Sequence, residues 1–244
     1  MEDKIVAAEI KENSKFLKWL DNYWYHYKIP TIIVSFIVIV LLICTLQMCS
    51  TDDNQDITVL YSGPFLMTGS EHAEVCNVLN YIMPADFNGD GRKYTELITY
   101  QVASEQQLKD MAAETDENGN PKYSINRQYY TNEYSNYSNM LGTGEFALCF
   151  LDPWLYESLV NSDKLRLKSL TEVFGGMPDG AVGNFGIRLG DTAMYQYYDV
   201  FKVLPEDTVI CLLNPYIFGE TSKEDIYARS VDMFKAIVFF EAPQ

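Results

Sequence analysis

Histidine is scarce in this chain, with only His26 and His72 among 244 residues. Neither sits in a nucleophilic pattern, so no Ser-His-Asp or Cys-His arrangement can be read from the sequence. Phosphate-loop, HExxH, GxSxG and CxxC motifs are all missing. Basic residues are missing over a long stretch, since none falls between Lys28 and Arg92. The net charge of −16 makes the chain a poor candidate for nucleic acid, which needs Lys and Arg against phosphates. The expectation is a protein that binds rather than catalyses, with a carboxylate pair hidden among the many acids as the remaining enzymatic alternative.

What is present begins with an apolar run. No charged residue occurs between Lys28 and Asp52, and the centre is Ile, Val and Leu. About 20 such helical residues cross a ~30 Å hydrocarbon core. Four parts follow: a cytoplasmic head at 1–28, a transmembrane helix at 29–51, a polar tether at 52–56 and a globular domain at 57–244. Lys11, Lys15, Lys18 and Lys28 flank the run on its N-terminal side. By the positive-inside rule, the expectation is a single-pass protein of the cell membrane, with its N-terminus cytoplasmic and its domain outside. Trp19, Tyr23, Trp24, Tyr25 and Tyr27 suit an aromatic belt at the inner interface, or a docking helix for a cytoplasmic partner. The run lies too far in and is too long for an ordinary cleaved signal, which makes it an uncleaved signal anchor.

The head is charge-neutral, so the net charge of −16 lies beyond the membrane. An acidic surface keeps an exposed domain soluble. Of five cysteines, Cys44 and Cys49 belong to the span, while Cys76, Cys149 and Cys211 sit among apolar residues as buried thiols do. A Cys149–Cys211 disulfide would require their strands to be neighbours.

Strands and helices alternate through the domain. Ile57–Tyr61, Tyr94–Val102, Phe146–Leu151, Asn184–Leu189 and Thr208–Leu213 have strand character. Helices are expected over Glu71–Met83, after the Ser104/Gln107 capping box, from Asp152-Pro153 to Val160, over Asp191–Phe201 and from the Thr221/Glu224 box to about Phe240. The implied fold is α/β, a single mainly parallel sheet with flanking helices. Asp116–Gly144 is expected to be a long loop, whose tyrosines between 123 and 139 either form a contact surface or pack back on the domain.

Two resemblances follow from these residues. The box YWYHYKIP ahead of a β-branched span resembles the juxtamembrane segment of single-pass proteins from Clostridia-type Gram-positive bacteria. The stretches ITVLYSGP, GEFALCFLDPWLYESLV and NFGIRL resemble the first lobe of a type II extracellular solute-binding protein. That second resemblance implies a solute-binding-like fold. Only ~55 residues follow Leu189, however, where such a family has a full second lobe, so closure around a solute is not implied.

Candidate sites come from topology and spacing. Ligands of open α/β sheets gather beyond the carboxyl ends of strands, which nominates Ser62, Gly63, Asp152, Trp154, Asn214 and Tyr216. For Asp152 the competing role is a helix cap. Asp86, Asn88 and Asp90, with Glu96 close to the closing position, resemble half of a calcium loop; the alternative is an Asn-Gly turn. Calcium is thus the one candidate cofactor. The candidate partners are a small solute or peptide at the sheet edge, or a membrane-protein partner met by the tyrosine-rich segment in an envelope or transporter-associated complex.

Overall fold

The computed structural model describes residues 15–49, 55–162, 167–214 and 224–243. The chain divides into Met1–Asp53 and Asn54–Gln244, taken separately below. In the first unit, α1 (Lys15–Cys49) is one helix that runs through Pro30, so residues 15–28 continue into the apolar run. Within it, Asn22–Thr45 is long and apolar enough to cross a membrane, and it is unburied. Trp19, Tyr23 and Tyr27, spaced four apart, stack at 5.6 and 5.4 Å. Residues 50–54, most of the expected tether, lie outside the described residues.

The second unit is a six-stranded sheet between helices. Its strands are β1 (Ile57–Gly63), β2 (Thr95–Gln101), β3 (Leu148–Leu151), β4 (Ala181–Val182), β5 (Gly186–Arg188) and β6 (Val209–Leu212). They lie in the order β2-β1-β3-β6-β5-β4. β1 pairs parallel with both β2 and β3, whereas β3–β6, β6–β5 and β5–β4 are antiparallel. The sheet is therefore mixed rather than mainly parallel. The reason lies in the connections: crossover helices join β1, β2 and β3, while a tight turn at Gly183 (φ +61°) returns β4 into β5. Gly186 is needed where these strands meet, because a Cβ there would lie 2.3 Å from Val209 Cγ1.

Alternation along the strands makes two cores. Val59, Tyr61, Leu148, Phe150, Ile210 and Leu212 face one side, against Val75 and Leu79 of α2 (Gly69–Ile82) and Met233, Phe234 and Ile237 of α8 (Glu224–Val238). Leu60, Cys149, Leu151, Val209 and Cys211 face the other. There they meet Tyr137 of α4 (Arg127–Met140) and Leu155, Tyr156 and Leu159 of α5 (Pro153–Val160). Each large apolar side chain buried this way contributes about 1.5–3 kcal/mol. The remaining helices are α3 (Glu105–Ala113), α6 (Leu170–Phe174) and α7 (Ala193–Tyr197).

Two further expectations are corrected. The tyrosine-rich segment is a loop only as far as Asn126, which accepts from the Tyr129 amide at 3.2 Å and opens α4. Tyr130 and Tyr137, two helical turns apart, are buried, while Tyr129 and Tyr134 stay exposed. Many Asn, Ser, Thr and Tyr, residues of middling helix propensity, disguise this helix, which tertiary burial stabilises. The expected helix over Asp191–Phe201 is instead the five-residue α7 between two 3-10 turns. The Thr221 start of the last helix falls outside the described residues.

Cys149 and Cys211 do sit directly opposite each other. The Leu213 amide donates to Ala147 O at 2.8 Å two residues further along, so the cysteines occupy a hydrogen-bonded pair, with Cα atoms ~5.5 Å apart. Both are free thiols, fully buried, and burial pushes both thiols well above their ordinary pKa.

Candidate binding cleft

β1, β2 and β3 all finish at one end of the sheet. The connection from β1 to β2 carries α2 on one face, and the connection from β2 to β3 carries α4 on the other. The chain thus leaves in opposite directions on either side of β1, which opens a crevice beyond the strand ends. Gly63 sits at the apex, where a Cβ would meet Tyr61 Oη at 2.8 Å and Asp152 Cβ at 3.5 Å. A side chain there would have to displace the Tyr61 hydroxyl, while the start of α5 lies at ordinary contact distance.

Asp152 ties the strand ends together. Its amide donates to Ser62 O at 2.8 Å. Its carboxylate caps α5 by accepting from the Trp154 amide at 2.9 Å, and it accepts from Gln107 Nε2 at 2.8 Å. Burial raises its pKa, against the lowering effect of those hydrogen bonds. Its charge, after burial itself, also helps push the Tyr61 phenol far up.

Beside this junction lies a cleft of about 510 Å³. Pro64, Phe65 and Leu66, leaving β1, form one side, with Gln101 from the end of β2. Gln107, Asp110, Met111 and Glu114, on and just after α3, form the opposite side. Tyr123 and Tyr130 close the wall. Phe65 and Leu66 are more than half exposed although strongly apolar. The volume is in the range of small-molecule sites, and the lining mixes aromatic and apolar surface with a few polar groups.

The residues nominated from sequence divide around this cleft. Gly63 and Asp152 stand at the junction next to it. Ser62 is fully buried, with its hydroxyl donating to Tyr100 O at 3.3 Å. Trp154 is 39% exposed and lies against Tyr134, ring centres 6.0 Å apart and the planes tilted by 35°, a pairing of α5 with α4. Asn214 is not brought to this end. β6 runs antiparallel to β3, so its carboxyl end lies where β3 begins, next to Ala147. Tyr216 lies outside the described residues.

Nor do the calcium candidates join the cleft. Asp86 accepts from the Gly89 and Gly91 amides at 2.7 Å each, Asn88 from the Asp90 amide at 2.9 Å and Asp90 from the Arg92 amide at 2.8 Å. Glu96, on β2, accepts from Thr58 Oγ1 at 3.3 Å. Among the described residues, no group of three or more His, Cys, Asp or Glu side chains gathers as metal ligands.

Asp110, Glu114, Gln107 and Phe65 were not singled out by sequence reasoning. One signal was present, since Asp110 lies in the last turn of α3 and Glu114 is its C-cap. Acids at a helix C-terminus oppose the helix dipole, which favours cations there. Comparison with family models, with curated proteins and with solved structures found no match.

Proposed function

We propose that this protein is a membrane-anchored binding domain that acts without catalysis and uses the cleft beside Asp152 as its receptor site. The carrying observation is the cleft itself, about 510 Å³ at the carboxyl ends of parallel strands where the crossovers diverge. The apolar helix supports single-pass anchoring, and the lysines on its N-terminal side support a cytoplasmic N-terminus with the domain outside. On this reading the domain is a fixed receptor, similar in plan to one lobe of a solute-binding protein, and it reaches only what comes near the membrane.

Native mass spectrometry of the full chain, extracted in mild detergent, tests the site. The account expects a small-molecule adduct that is lost in Met111→Trp, which fills the cleft. An adduct that survives this substitution places the ligand elsewhere and removes the reading. Protease protection in sealed vesicles checks the orientation separately.

A second reading rests on a different surface. Tyr134 and Trp154 form an exposed aromatic pair on α4 and α5, which suits contact with a membrane-protein partner. Photocrosslinkers placed at these two positions, compared with one in the cleft, discriminate between the surfaces.

A further inference from the structure

We infer that the cleft takes an organic cation, a primary amine or guanidinium carried on an apolar body. This rests on the cleft being the binding site and names the class of its ligand. Hydrogen-bonding capacity points there first. Gln101 Nε2 is tied to Pro64 O at 3.1 Å, and Gln107 Nε2 to Asp152 Oδ2 at 2.8 Å. Gln107 Oε1 accepts from the Ser104 amide at 2.8 Å. What remains toward the cavity is chiefly the carboxylates of Asp110 and Glu114, acceptors only when ionised, and the hydroxyls of Tyr123 and Tyr130. No Lys or Arg lines the cleft. The two carboxylates therefore favour a ligand that brings donors and positive charge over an anion.

Backbone electrostatics have the same sign. The cleft receives the last turn of α3, the negative end of the helix dipole, worth up to about half a charge. The amino end of α3 is closed to anions by its capping box, in which Ser104 accepts from the Gln107 amide.

The protein's own Lys122 shows what this wall accepts. Its ammonium lies 3.1 Å from Glu114 and 5.1 Å from the centre of the Tyr123 ring, a carboxylate and an aromatic face together. Both partners belong to the lining. Asp110, by contrast, accepts from the neutral Gln106 amide at 2.8 Å and, among the described residues, has no cationic partner. Phe65, Leu66, Met111 and Tyr130 supply the surface for an apolar body.

A free amine and a lysine or arginine side chain of a peptide share this chemistry, so the test includes both. Full-length protein in zwitterionic nanodiscs is titrated with 4-phenylbutylamine, 4-phenylbutanol and 4-phenylbutyrate, and with an acetylated Phe-Lys amide. The amine is expected to bind roughly 10-fold tighter than the carboxylate, as for one partly screened charge contact. Asp110→Asn should bring amine and alcohol within about 2-fold of each other. Tighter binding of the peptide than of the amine assigns the source to a peptide, and the reverse to a free amine. If the alcohol equals the amine, or the carboxylate binds best, the cation assignment is overturned while the cleft stands as a site. If Met111→Trp leaves every titration unchanged, or no probe binds wild type, both fall.

Discussion

The two ends of the sheet handle acidic residues in opposite ways. Where β1 and β2 begin, Asp56 is 2% exposed and accepts from the Phe87, Asn88 and Tyr94 amides at 2.6–2.9 Å. Asp86, Asn88 and Asp90 repeat that pattern within the loop they belong to. Where the same strands finish, Asp110 and Glu114 border a cavity, held only by Gln106 and Lys122 side chains at the surface. Side chains of one chemical type are committed to backbone at the first end and open to a visitor at the second. A carboxylate that satisfies backbone amides is scaffold, and one facing a cleft is available for recognition.

Substitution should separate the ends. Asp56→Ala has the largest expected effect, because three backbone amides lose a charged acceptor in a buried place. The cost should be at least about 3 kcal/mol in urea unfolding of the full chain. A loss below about 1 kcal/mol would mean that the Asp56 network is not structural. Asp86→Ala, at a half-buried position of the same loop, should cost about 1–2 kcal/mol, with calcium binding unnecessary to explain the loss. Added calcium that raises the midpoint of wild type but not of Asp86→Ala would contradict this and reinstate a metal role.

Asp152 lies between these extremes, since it is both helix cap and junction. Its folded pKa is raised, so the folded state holds the proton more tightly than the unfolded state does. The associated stability is complete below the ordinary Asp value of 3.8 and is lost as pH rises through the raised folded value. Asp152→Asn keeps a capping side chain and removes this titration. Its midpoint should therefore vary less with pH over that acid window than that of wild type, and parallel curves would contradict the assignment. The smallest effect belongs to Asp110→Asn, which should change stability by less than about 0.5 kcal/mol. A larger loss would make Asp110 scaffold as well and erase the contrast.

The sequence made the local elements legible where one short-range pattern decided them. The Ser104/Gln107 box, the Asp152-Pro153 start and the apolar FALCFL strand all formed where periodicity and capping chemistry required. Strand direction was different. Nothing within TVICLL tells whether it runs with or against FALCFL, and that choice moved Asn214 to the far end of the sheet. The sharpest motif, DFNGDG, has a structural role in its own loop. Its side chains alternate because each closes a turn on its own backbone. The cleft was hidden because Phe65, Gln101, Asp110 and Tyr130 come together only after two crossovers. The surviving clue was electrostatic, in acids placed at the wrong end of α3.

The cysteine pair extends the contrast between committed and available groups. Cys149 and Cys211 should resist alkylation in the native protein, while half-buried Cys76 should react more slowly than a free thiol but ahead of both. Equal labelling of all three would show that the core opens on the time scale of the reaction.

Hydrogen exchange on the full chain with and without 4-phenylbutylamine tests the central claim most directly. The account predicts added protection confined to residues 64–66, 101–114 and 123–130, around the carboxyl ends of β1 and β2. Protection that appears instead over residues 86–94 would place the ligand at the opposite end of the sheet and contradict it.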